Sequence, residues 1–179
     1  LDQDSGIEFS MSSNPNSGHR MKRFAPRQSS AGVVKKVTVR AWDPEKKQEI
    51  VGEANAASSP LGSSNAASSL QSFGEVKTFI VDTPCASVEA AKAISQAKLD
   101  ELSMGYITGE AECMGKPEYK PGIVVKITVN DETATDNFNG KYYVVGVSHM
   151  YSPGGAGAGA GGGGYNCILK VQRNAHGGS

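Results

Sequence analysis

The stretch Ile123-Val124-Val125-Lys126-Ile127-Thr128-Val129-Asn130 sets Ile123, Val125, Ile127 and Val129 against Val124, Lys126, Thr128 and Asn130. That period of two is the signature of a strand with one face in a core and the other toward solvent or a lumen. The same pattern recurs upstream. Val37, Val39 and Ala41 alternate with Lys36, Thr38, Arg40 and Trp42 in a strand that opens at Val33 and stops at Asp43-Pro44. Asp accepts turn hydrogen bonds and Pro cannot donate to a ladder, so residues 45 to 48 are expected to form a charged corner before Glu49 to Ala54 return as a strand. Further strands are predicted over Glu75 to Asp82, Tyr106 to Cys113, Tyr142 to Tyr151 and Tyr165 to Arg173, the last with Cys167, Leu169 and Val171 facing inward. Helical periodicity occurs once. Ser87 is placed to cap a helix whose stripe holds Val88, Ala91, Ser95, Leu99 and Leu102, with Ile94 at its edge and Gly105 at its end. Many short strands and one helix predict a mainly β (α+β) fold, a closed or nearly closed barrel or sandwich with the helix packed on one side.

Three stretches lack either period. Residues 1–32 are polar and read as an N-terminal extended arm. Residues 55–74, rich in Ser, Ala, Asn and Gly, and Gly154 to Gly164, glycine and alanine throughout, read as mobile loops, the second at a hairpin tip. The barrel domain is accordingly expected over residues 33–179. A phosphate cradle in the glycine run is disfavoured, because no helix N-terminus follows it.

The 179 residues are enough for a sizeable core without staples. Eighteen basic residues offset eighteen acidic ones, which removes the charge footprint of a protein that binds nucleic acid or an anionic membrane. No apolar run approaches the ~20 residues that span a bilayer, so no stable membrane insertion is expected. The chain opens at Leu1 without a signal-peptide pattern, as a fragment or a processed product would. Cys85, Cys113 and Cys167 are widely spaced and odd in number, and they predict reduced, buried thiols and no disulfide framework or metal site.

Four features tempt a chemical reading. Glu110 and Glu112 share one strand face, and paired carboxylates serve glycoside hydrolysis, but the two residues that do so stand across a cleft on different elements. His149 falls on the same strand face as Val145 and Val147 and reads as a hydrogen-bonded core or interface histidine, with no nucleophile elbow to serve. His19 and His176 fall in the flexible ends and make no metal site. Trp42, the single tryptophan, is expected to pack at the corner rather than stack on a ligand. No catalytic, cofactor-binding or metal-ligating residue is therefore assigned, and no enzyme activity is expected.

Four markers in order resemble the late control protein D and VgrG-like baseplate hub family of contractile injection systems. They are Pro26-Arg27 leading to Val37-Thr38-Val39-Arg40-Ala41-Trp42-Asp43-Pro44 and Ile50 to Ala54, the helix Ser87 to Leu102 after Asp82-Thr83-Pro84, Gly109-Glu110-Ala111 with Gly115-Lys116-Pro117 and Lys120-Pro121-Gly122, and Gly140 to His149 closing with Leu169 to Asn174. The resemblance covers Phe24 to Asn174. It implies a tail-tube-like barrel and a hub that forms a homotrimer and links a hexameric inner tube protein to a trimeric spike protein among other baseplate subunits. It also implies that the arm is the remnant of a preceding hub domain. Such a protein is made in the bacterial cytoplasm and resides in a phage virion or injection particle. The chain departs from the VgrG pattern in ending at Ser179 without an oligonucleotide-binding-fold segment or a spike, and both low-complexity loops are long for the family. A cell-wall hydrolase or sugar-binding module carried by such a machine is the alternative.

Overall fold

The computed structural model describes residues 4–11, 19–58, 61–62, 64–65, 77–81, 85, 87–129, 137–152 and 164–176. The strands are β1 (Asp4–Ser10), β2 (His19–Gln28), β3 (Lys36–Asp43), β4 (Gln48–Ala54), β5 (Ser64–Asn65), β6 (Lys77–Val81), β7 (Ile107–Met114), β8 (Val124–Thr128), β9 (Gly140–Ser152), β10 (Gly164–Arg173) and β11 (Ala175–His176). One helix, α1 (Val88–Met104), lies between β6 and β7. The mainly β fold with a closed barrel and one helix is as the alternation predicts. The chain divides into two compact units. One holds Leu1–Arg27 and Thr108–Arg173, the other Gln28–Ile107 with Asn174–His176.

The first unit is the barrel, closed in the order β1-β2-β7-β10-β9-β8. Residues 1–32 therefore do not form an arm: β1 and β2 are staves of the barrel. Their polarity misled because β1 buries Phe9 as its one core side chain and β2 buries Met21, too few apolar positions for a period to register. β1 lies parallel to both neighbours, pairing Phe9 with His19 on β2 and Ile127 on β8. Only the end of β1 overlaps the start of β2, so no long crossover is required. β9 and β10 form the long ladder, Gly164 opposite Ser152 through Gln172 opposite Tyr143, with a bulge where Lys170 pairs with Gly146 but Val171 with Val144. The core holds Ile107, Ala111, Cys113, Val125, Ile127, Tyr142, Val144, Cys167 and Leu169, all without exposed surface.

The barrel is locked at the start of β9. Arg173 is fully buried, donates from Nη1 to the Asn139 carbonyl at 2.8 Å and lies 5.3 Å over the Tyr142 ring. Gly140 has φ +134°, and a Cβ there would come within 2.6 Å of the guanidinium. Asn139 Oδ1 accepts from Val129 N at 2.7 Å, and Tyr142 donates to the Phe138 carbonyl at 2.8 Å.

The second unit is a three-stranded sheet, β4-β3-β6, with α1 on one face. β3 pairs antiparallel with β4 and parallel with β6. Asp43 Oδ1 accepts from the backbone of Glu45 and Lys46 at 3.0 and 3.1 Å, making the corner as predicted. Trp42 does not pack there. It points off the sheet face opposite the helix and is 62% exposed, so Asp43 alone holds the turn. Ser87 caps α1, its hydroxyl accepting from Ala90 N at 3.1 Å, and Ala91, Ser95, Leu99 and Ser103 form the buried stripe. Val88, expected on that stripe, is exposed at the first turn. The helix packs on this sheet within its own unit. Contact is closest at Gly52, where an added Cβ would sit 2.2 Å from the Ala91 backbone, and the Ser95 hydroxyl donates to the Gly52 carbonyl at 2.9 Å.

Part of the stretch predicted to be a mobile loop is anchored in this unit. Ser58 bonds Asp100 through its amide and hydroxyl at 2.8 and 2.5 Å, Leu61 is buried with its amide on Asn174 Oδ1 at 2.8 Å, and β5 pairs with β11. The expectations for residues 66–74 and for the glycine run before Gly164 lie outside the described residues.

Gly52→Ala is predicted to push α1 off its sheet and lower stability by about 1–3 kcal/mol. The shift of the urea midpoint measures this, and an unchanged midpoint would contradict the close approach.

Candidate functional site

The densest gathering of chemically capable side chains lies at one end of the barrel. Pairing sets Cys167 on β10 opposite His149 on β9, and residues directly opposite share a face. The bulge in β9 matters here: Tyr142 and Val144 point inward before it, and Val147 and His149 point inward after it, while Val145 is left 46% exposed on the outside. His149 is therefore not on one face with Val145, and it sits exposed at the barrel end rather than in the core.

Its ring is held on both sides. Nε2 is 3.1 Å from the Tyr119 carbonyl, while Nδ1 is 3.0 Å from Cys167 Sγ and 2.6 Å from the Tyr165 hydroxyl. A carbonyl only accepts, so Nε2 donates to it, and in the tautomer protonated there alone Nδ1 is the accepting nitrogen. Gly115 permits the arrangement, because a Cβ there would stand 2.3 Å from the Tyr165 ring, and its amide donates to the Tyr165 carbonyl at 2.7 Å. Cys113 Sγ lies 3.6 Å from the Cys167 carbonyl. These two contacts put β7 and β10 in one antiparallel register, with Cys113 opposite Cys167. Both thiols are buried, and burial first, then the neighbouring Cys167, pushes the Cys113 thiol up to about 12.

Beside this cluster, His19 is a strand residue of β2 and not part of a flexible end. Its Nδ1 is 2.8 Å from the Tyr119 hydroxyl, 3.3 Å from Lys116 Nζ and 3.6 Å from a Glu118 oxygen, and its ring joins those of Phe9 and Tyr119. Burial, then the Lys116 ammonium, hold its pKa below the ordinary 6.5 against the pull of Glu118. Burial pushes the Tyr119 phenol up, so it stays a neutral donor. His176 is likewise in a strand, β11 of the second unit, 3.3 Å from the Tyr106 hydroxyl. Among the described residues, no three His, Cys, Asp or Glu side chains converge as a metal ion would need.

Glu110 and Glu112 point off the outside of the barrel. Glu110 lines a cleft of about 410 Å³ with Ala25, Arg27, Thr108, Val145 and Lys170, and it is the single carboxylate there. Glycoside hydrolysis needs a second carboxyl across such a cleft, and the other charged residues lining this one are Arg27 and Lys170. Cys85, expected buried, is half-buried. The sequence reading missed the proximity of Cys113, Cys167 and His149. Inward alternation on β7 and β10 was readable, but only the register brings these residues together.

No helix among the described residues is long and apolar enough to cross a membrane. The barrel and its companion unit reproduce the fold of phage tail proteins. The 43 kDa tail protein of prophage MuSo2 from Shewanella oneidensis matches 97% of this chain with a TM-score of 0.61 and 16% identity. The tail protein from Neisseria meningitidis MC58 matches 96% with a TM-score of 0.57 and 13% identity. The chain spans 45% and 46% of those proteins, less than half of each. No curated protein matches its sequence. The family model of the Alg8 N-terminal domain matches residues 13–152, and the chain belongs to that family.

The folded protein binds a proton at His19 less readily than the unfolded chain does, so this residue's contribution to stability is full above about pH 6.5 and is lost as the pH falls below it. The melting temperature of the wild type is predicted to drop more between pH 7.5 and pH 5 than that of His19→Gln. Parallel curves would remove His19 as the cause.

Proposed function

We propose that this chain is a structural subunit of a phage-tail-like injection machine, and within it the baseplate hub that trimerises to link the hexameric inner tube to the trimeric spike. The observation that carries the reading is the likeness of nearly the whole chain to two tail proteins. The order of the four sequence markers supports the finer assignment to the hub.

The surface fits an assembly role. Trp42, Phe79, Met114, Val145, Met150 and Tyr151 are exposed in the single chain, with Tyr151 at 76%. Residues 148–152 of β9 are exposed throughout although they pair with β10, so the two strands run past the barrel core as a ribbon. A two-stranded ribbon is marginal in water and gains from a partner. The partners proposed are further copies of this chain, the inner tube protein, the spike protein and other baseplate subunits, inside a virion or injection particle. The role is non-catalytic and needs no cofactor.

Light scattering coupled to size exclusion is predicted to give a mass three times that of one chain, alone or on addition of the spike protein. A monomer under both conditions would count against the hub. Peptidoglycan is predicted to remain intact in the presence of the protein, and turnover abolished by Glu110→Gln with the fold retained would replace this reading by a hydrolase.

A further inference from the structure

We propose that Cys167 is a peroxide-reactive thiol with Cys113 as its resolving partner, so that hydrogen peroxide converts the pair into a disulfide joining β7 to β10. The geometry supplies each part. The Tyr119 carbonyl fixes the proton of His149 on Nε2, which leaves Nδ1 facing Cys167 Sγ at 3.0 Å as a base. The Tyr165 hydroxyl, 2.6 Å from the same nitrogen with its ring stacked on the imidazole, supplies a second donor beside the sulfur. Two cysteines directly opposite on antiparallel strands have Cα atoms ~5.5 Å apart, within the range a disulfide bridges. The burial that keeps Cys113 protonated makes it the second thiol to react, not the first.

The chemistry balances. Cys167 gives its proton to His149 Nδ1, and the thiolate attacks one peroxide oxygen. An S–O bond forms, the O–O bond breaks, and the departing hydroxide takes the proton from His149 to leave as water. Cys167 is now a sulfenic acid, oxidised by two electrons as the peroxide is reduced. The Cys113 sulfur then attacks the Cys167 sulfur, the S–S bond forms, and the sulfenic oxygen leaves with the Cys113 proton as a second water. Both cysteines are buried, so the oxidant has to be as small as hydrogen peroxide to reach them. Half-buried Cys85 serves as an internal control.

The full chain is treated with hydrogen peroxide at equimolar amounts, alkylated and mapped by mass spectrometry. The expected result is loss of two hydrogens, a cross-linked peptide pair containing Cys113 and Cys167, and Cys85 still alkylated. Cys113→Ser should accumulate a sulfenic acid at Cys167, trapped by dimedone once the oxidised protein is unfolded in denaturant. His149→Gln should slow oxidation near neutral pH roughly tenfold or more, with the rate recovering as the pH is raised and the thiol ionises unaided. Oxidation of Cys85 before the pair, or a wild type whose Cys113 and Cys167 stay alkylatable, would overturn the proposal. So would an unchanged rate in His149→Gln. The wild-type map decides even if a variant fails to fold.

Discussion

A guanidinium with no exposed surface is the constraint on which the barrel depends. Removing a charge from water costs several kcal/mol unless hydrogen bonds and a polarisable partner replace it. Arg173 finds the Asn139 carbonyl and the face of Tyr142, and it reaches them because Gly140 has no side chain. That requirement fixes the chain where it enters β9, and from there the register follows: Gly140 meets Ile127 on β8, and Gln172 meets Tyr143 on β10. Closure of the barrel thus hangs on a polar contact placed at the last residue of its last stave.

The second unit answers a different problem. Its core is thin, Val34, Val37, Ala54 and Leu99 in one cluster and Val39, Ile50 and Ala91 in another. With few large side chains to fill a gap, the helix must come close, and the small residues Gly52, Ala91 and Ser95 at the contact permit it. Ser95 donates to the carbonyls of Gly52 and Ala91, at 2.9 and 2.8 Å, so close approach leaves no buried donor unmet. Most of this unit falls in the sequence between β2 and β7, two neighbouring staves, and Asn174–His176 rejoin it after β10.

What was legible followed from local rules. The alternation of β3, β8 and β10, the Ser87 cap and the Asp43 corner each depend on a few adjacent residues. β1 and β2 were illegible because each gives the core few apolar side chains, and polar composition outweighed them. The anchoring of Ser58 and Leu61 was hidden for a related reason: it uses single hydrogen bonds to Asp100 and Asn174, far along the chain, that no composition announces. Val145 was read onto one face with Val147 and His149 because strict alternation puts it there, whereas the bulge after Val144 shifts the pattern by one residue.

The bulge also links the fold to the chemistry at the barrel end. Had β9 kept strict alternation after Val144, position 149 would face outward and Ser148 would stand opposite Cys167. One extra residue at Val145 turns His149 inward, opposite Cys167, and at the same time presents Val145 to the outer cleft beside Glu110 and Lys170. A bulge re-aims side chains on both faces at once. Deleting Val145 is therefore predicted to restore continuous pairing of β9 with β10 while keeping Gly146 opposite Lys170 and His149 opposite Cys167, whereas inserting a residue between Val147 and Ser148 would move His149 out of register with Cys167. Peroxide oxidation of the cysteine pair should then continue near the wild-type rate in the deletion variant and slow in the insertion variant as it does in His149→Gln; an insertion variant that oxidises at the wild-type rate would show that the register of β9 has no part in activating Cys167.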